Sequence, residues 1–257
     1  MTLHLIRTPP EAQDGLRFYD PTQSVRILPE MPARPPSSLP EPGDAVLDIT
    51  VAGQLGQGRV GTVHIADVWS CSVPVDIPPL VVKVANRDFC DNLSKEAWMY
   101  EEMESLQGVA IPRCYGYSVS EIPPHMKVLG WDRVATTKLP ISILLLERVG
   151  GHLPLGKPIP QTVQDDLWRI TKDFGELHIF DKDLRYDNVL FAPDSPPGLP
   201  SLVSPFSHRS YVLRVVDFDL GYKVNLPPQS LDFHHKHLVR LILDNVPRGN
   251  VVNPFDD

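Results

Sequence analysis

A chain of 257 residues, 42% hydrophobic and 22% charged, holds enough apolar material for one large domain or two lobes and reads as soluble and globular. Its net charge of −8 argues against nucleic acid or an anionic membrane as the main partner, and no run approaches the ~18 apolar residues of a membrane span. Cys71, Cys90 and Cys114 fit neither a metal spacing nor a disulfide framework, and the N-terminus lacks the charged and apolar regions of a secretory signal, so the expected setting is intracellular and cytoplasmic.

Prolines crowd 29–42, 74–79 and 193–205. Residues 1–44 are therefore expected to form a proline-rich, partly disordered leader, because proline lacks an amide donor and restricts the residue before it. From Ala45 the pattern changes. VLDITVAGQLG and GTVHIADVWS alternate as strands around Gly56, Gly58, Gly61 and Val63, which fill G-x-G-x-x-G-x-V. Such a run suits a glycine hairpin folded over a nucleotide's phosphates, or an ordinary hairpin.

Leu80–Val84 reads as a short buried strand interrupted by Lys83. A lysine there either snorkels out at an edge or reaches phosphates with a counter-charge beside it. The next helix, SKEAWMYEEMESLQ, is expected to be capped by Asp91 or Asn92 and stopped by Gly108, and it offers Glu96 as that counter-charge. IPRCYGYSVS reads as a strand. Ile141–Leu146 is an uninterrupted apolar strand, expected centrally in its sheet, that runs into the flexible Glu147–Gly151. If that break joins two lobes, the carbonyl of Glu147 and the backbone of Val149 can pair with an adenine edge, with Leu146 behind it.

After Pro160 the period becomes helical, with Thr162 and Asp165 as a capping box and Val163, Leu167, Ile170, Phe174 and Leu177 on one face. Two segments then concentrate chemistry. Asp181-Lys182-Asp183-Leu184-Arg185-Tyr186-Asp187-Asn188 precedes the strand VLF, and YVLRVVDFDLGY delivers Asp217-Phe218-Asp219. These carboxylate and amide oxygens are hard ligands that suit Mg²⁺ bridging phosphates. In LDFHHKHLVRLIL, His234, His235 and His237 read as part of a surface helix rather than a metal site, with Leu231, Leu238 and Leu241 packing inward.

The order Gly56-x-Gly58-x-x-Gly61-x-Val63, Lys83, Glu96, Asp183-Leu184-x-x-x-Asn188 and Asp217-Phe218 resembles the eukaryotic protein kinase superfamily over roughly residues 47–225, most closely its divergent fungal-type members with a short large lobe. The resemblance implies an α+β, two-lobed protein-kinase-like fold: a small β-rich N-lobe over 45–149 and a truncated, mainly helical C-lobe over 150–257. It implies ATP and Mg²⁺ as cofactors and a protein substrate phosphorylated on serine or threonine. Gly56, Gly58 and Gly61 would cover the phosphates, Lys83 would bind them and pair with Glu96, and Val63 and Val81 would line the base. Asp183 would accept the acceptor's proton, Arg185 would steady the γ-phosphate, and Asn188 and Asp217 would hold magnesium.

The chain departs from the family pattern at Asp181, which stands where a histidine is usual, at Asp219 in place of a glycine, and at Val81 in place of a small alanine. It also carries a proline-rich insert, SPPGLPSLVSPFSHRS, and lacks Ala-Pro-Glu. These departures favour a second reading, an ATP-binding pseudokinase acting as an interaction module; a third is a small-molecule phosphotransferase, a family with a similar Asp…Asn and later Asp arrangement.

Overall fold

The computed structural model describes residues 2–3, 34–39, 46–125, 127–128, 131 and 136–253. The fold is α+β, with two compact units: one holds 46–98 and 113–148, the other 99–112 and 149–253. Most of the expected leader lies outside the described residues. Of it, Thr2–Leu3 pair with the first long strand, and Arg34 and Ser37 bond to Glu101 and Glu104.

The first unit is an antiparallel sheet in the order β1-β2-β3-β4-β6-β5. Its strands are β1 (Thr2–Leu3), β2 (Leu47–Gln57), β3 (Gly61–Cys71), β4 (Leu80–Ala85), β5 (Cys114–Ile122) and β6 (Leu139–Glu147). Every residue of β4 is buried, because the strand lies between β3 and β6 and both its faces are covered. Strand alternation sends Leu80, Val82 and Val84 into one core with Ile49, Ala66, Ile141, Ile143 and Leu145, and turns Val81 and Lys83 to the other face. Ile141–Leu146 is flanked by strands on both sides, as its unbroken apolar run implies.

Helix α1 (Cys90–Glu102) begins earlier than its sequence suggests. Its first turn follows directly from a bend at Asn86: Phe89 N–H donates to Asn86 O, and Leu93 N–H donates to Phe89 O. Asp91 and Asn92 consequently lie inside the helix, in its first turn, rather than ahead of it. At the other end a 3₁₀ turn, Glu104–Leu106, leads to Gly108 at φ 71, a left-handed stop that favours glycine.

The second unit is built on α2 (Gln161–Glu176) and α3 (Pro228–Asn245), with two short hairpins, β7 (Ile179–Asp181) with β10 (Gly221–Lys223) and β8 (Val189–Phe191) with β9 (Leu213–Val215). Val163, Leu167, Ile170 and Phe174 are buried as the helical period requires. The expected Thr162 capping box does not form: the N-cap is Pro160, whose extended backbone turns the chain into the helix, and Gln161 takes the Asp165 side chain at 2.8 Å. Phe218 packs edge-on against Tyr100 and Phe174, with ring centroids 5.5 and 6.0 Å away. Among the described residues no helix is long and apolar enough to cross a membrane.

The proline-rich insert is tied to this unit. Ser204 and Tyr211 both donate to one Asp173 oxygen, at 2.6 and 2.7 Å. Arg214 is fully buried, and its guanidinium donates to the carbonyls of Gly108, Val109, Tyr211 and Leu213 and to Ser201 Oγ.

Candidate functional site

The predicted residues fall into two clusters, one in each unit. In the first unit, β2 and β3 form a hairpin whose tip is Arg59 and Val60, closed by Gly58 N–H donating to Gly61 O at 2.9 Å. Positive φ is not what these glycines supply. None of Gly56, Gly58 and Gly61 has a positive φ. A Cβ at Gly61 would meet Val84 O at 2.4 Å, so that glycine lets β3 approach β4, whereas a Cβ at Gly56 would meet nothing within 4 Å. The tip is held by Asn86: its N–H donates to Val60 O at 2.7 Å, and its side-chain amide donates to the carbonyls of Gly58 and Arg59 at 3.1 and 2.8 Å.

Pairing of Val63 with Lys83, Ile65 with Val81, Val81 with Leu146 and Lys83 with Leu144 puts Val63, Val81, Lys83 and Leu146 on one face of the sheet. Lys83 does not snorkel: only 6% exposed, it places its ammonium 2.6 Å from Glu96, which is 1% exposed. The face thus combines an apolar wall with a fixed cation. Glu147, at the end of β6, commits its side chain to Arg113 and its N–H to Arg113 O. Its carbonyl carries the expectation placed on this residue. Val149 belongs to the second unit and is half-buried.

The second unit gathers the acidic residues. Asp183 N–H donates to Asp181 Oδ1 at 3.0 Å, while Asn188 Nδ2 donates to Asp183 O at 2.9 Å and to its Oδ2 at 3.2 Å. Arg185 Nε lies 3.5 Å from Asp183 Oδ1. From the other loop, β9 leads to Asp217 at φ 68, a left-handed conformation uncommon outside glycine and frequent at functional sites. Carboxylate oxygens of Asp183, Asp217 and Asp219 lie within 4.8 Å of one another. The fold therefore unites Asp183, Asn188 and Asp217, and adds Asp219. That residue, 4% exposed, stands in the sequence as part of Asp217-Phe218-Asp219 but is assigned no role of its own there. A second carboxylate two positions after Asp217 was the signal for it.

His235 is the other addition. Rather than lying on a surface helix, it is fully buried, and its Nε2 accepts Asp181 N–H at 3.3 Å. The imidazole packs on Phe174 and Phe180, at 6.3 and 5.2 Å between centroids. A relay of backbone amides thus runs from α3 through Asp181 to Asp183. Among the described residues the three histidines make no metal-holding group.

Burial pushes the Asp183 carboxyl up to about 6; Arg185 and Asn188 pull it down, and Asp217 and Asp219 push it further up. Burial likewise drives Asp181 well above the ordinary carboxylate range. Three crowded carboxylates, two of them buried, are a hard oxygen donor set that a divalent cation would neutralise, and their chemistry fits Mg²⁺.

This electrostatic crowding has a measurable consequence. Between about pH 4 and pH 6 the folded state holds a proton on Asp183 that the unfolded chain has released, so this group's contribution to stability falls as pH rises. His235 works the other way: burial lowers its pKa to about 4, and its contribution falls as pH drops below 6.5. The difference between Asp183→Asn and wild type isolates the first effect. In metal-free buffer the variant should gain stability relative to wild type as pH rises through that window, by at most about 1.4 kcal/mol per pH unit. Denaturant melts across the window measure it, and a pH-independent difference contradicts it.

No protein-family model matches the chain, and no curated protein matches it.

Proposed function

We propose that this chain is a protein-kinase-like phosphotransferase that moves the γ-phosphate of ATP to a serine or threonine hydroxyl of a protein. The observation that carries the reading is the meeting of Asp183, Asn188 and Asp217 from two separate loops, with a third carboxylate, Asp219, beside them. The buried Lys83–Glu96 pair supports it from the first unit.

In this reading Lys83, held by Glu96, meets the α- and β-phosphates, and the wall of Val63, Val81 and Leu146 takes the adenine. Asn188, Asp217 and Asp219 hold magnesium, which when bound neutralises charge on the phosphate oxygens. Asp183 orients the acceptor hydroxyl and takes its proton on Oδ1, which accepts no hydrogen bond among the described residues and has Arg185 Nε 3.5 Å away. The acceptor oxygen bonds to the γ-phosphorus while the bond to the bridging β–γ oxygen breaks, and ADP leaves with that electron pair. A carboxyl pKa near 6 suits proton acceptance near neutrality.

The test combines γ-phosphate transfer from Mg·ATP with thermal stabilisation by Mg·ATP, on wild type, Asp183→Ala and Asp217→Asn. Asp183→Ala should lose transfer by about 10²–10⁴-fold while ATP still stabilises it, and Asp217→Asn should lose the magnesium dependence of that stabilisation. Stabilisation of wild type without any transfer favours the nucleotide-binding interaction module. Absence of stabilisation overturns the proposal.

A further inference from the structure

Helix α3 buries Leu231, His235, Leu238, Val239 and Ile242 and leaves Phe233, His234, Lys236, His237 and Arg240 on its outer side. Together with Phe180 and Lys182, which lead into Asp183, these outer residues line an open groove of about 600 Å³. Two features of the lining are independent of each other.

The first is charge. The chain carries a net −8, yet among the described residues the groove is lined by Lys182, Lys236 and Arg240 and by no carboxylate. Lys236 has one local partner, Asp232, at 2.9 Å; Lys182 and Arg240 make no ion pair among the described residues. The second is an aromatic row. Phe180 and His234 lie 5.7 Å apart between centroids and His234 and Phe233 5.9 Å, and Phe233 is 72% exposed. One exposed phenylalanine is ordinary, but one that extends an aromatic row among three cations, of which only Lys236 has a carboxylate partner among the described residues, is a surface shaped for a ligand with both acidic and apolar groups.

We infer that this groove docks an acidic peptide segment bearing an apolar side chain. Carboxylates of the segment meet Lys182, Lys236 and Arg240, and the apolar side chain lies along Phe180, His234 and Phe233. Three cations suit a few carboxylates, whereas a polyanion such as RNA would meet the repulsion of the whole negative chain. Lys182 directly precedes Asp183 in the chain, although Asp183 itself does not line the groove. The segment's role as a substrate rests on the phosphotransfer reading; its binding does not.

The experiment is fluorescence anisotropy with the full chain and a short labelled peptide of alternating glutamate and leucine, beside its glutamine-for-glutamate counterpart. The acidic peptide should bind at least about tenfold more tightly, and Lys236→Glu/Arg240→Glu should remove that preference. Affinity should fall as salt rises from about 50 to about 300 mM. Phe233→Ser should weaken binding several-fold with an unchanged melting temperature, which separates lost contact from lost fold. Asp183→Ala should bind like wild type, and a wild-type protein that binds the peptide but transfers no phosphate sinks only the catalytic reading. Equal binding of both peptides, indifference to the charge reversal, or tighter binding of single-stranded RNA or phosphatidylserine vesicles through the same residues overturns the inference.

Discussion

Glu96→Gln is expected to lower the unfolding free energy by about 3–5 kcal/mol and to reduce phosphate transfer at least about a hundredfold. Lys83 and Glu96 are almost wholly buried and 2.6 Å apart. Taking both ions out of water is costly, and the carboxylate is what offsets the cost for the ammonium. Glutamine keeps the shape but not the charge, so Lys83 loses its closest anion while remaining in a low-dielectric setting. The double variant Lys83→Met/Glu96→Leu distinguishes folding from function. It removes both ions, so stability should return to within about 1 kcal/mol of wild type or above it, while transfer stays lost. Urea melts of Lys83→Met, Glu96→Leu and the double give the coupling free energy. A cost below about 1 kcal/mol for Glu96→Gln would show that water reaches the pair, contrary to its burial.

The second large effect is structural. Arg214→Met should destabilise the protein by about 3–5 kcal/mol, because methionine fills similar space and satisfies none of the carbonyls that the guanidinium engages. The bonds to Val109 O at 2.6 Å and Gly108 O at 2.8 Å fix the stretch after α1, and the bond to Ser201 Oγ at 2.8 Å fixes the proline-rich insert. Arg214→Lys keeps the charge but lacks the planar fork, so its cost should be intermediate. Limited proteolysis adds a local readout: cleavage within 195–210 should quicken in Arg214→Met more than cleavage elsewhere in the second unit. Uniform quickening would mean that the guanidinium stabilises the unit without anchoring the insert.

Legibility followed the range of the interaction. The strands around Gly56–Val63, the buried run Ile141–Leu146 and the apolar stripe of α2 were readable because side-chain period and burial are local properties. The Lys83–Glu96 pair was readable because a lysine in an apolar strand demands a partner. The caps were not: α1 starts from a bend at Asn86, whose side chain is occupied by the hairpin carbonyls, and α2 starts from Pro160. The hairpin of β7 with β10 escaped notice because three-residue strands carry little pattern of their own and the two lie far apart in sequence. His235 reads locally as one of three polar residues on a helix; only the fold shows that Asp181 N–H needs an acceptor there. Asp219 was visible as a residue but not as a neighbour of Asp183, since the turn that brings it there depends on the left-handed backbone at Asp217.

The division of the chain has a consequence for its synthesis. Residues 99–112 belong to the second unit but leave the ribosome before 113–148, which complete the first. Met99, Tyr100, Met103 and Leu106 are all fully buried in the finished protein, and the partners of this stretch, Phe218 and Arg214, emerge more than a hundred residues later. At ~5–20 residues per second that is a delay of roughly 5–20 s. For that interval a helix end rich in apolar side chains is without the late-emerging partners it packs on in the finished protein.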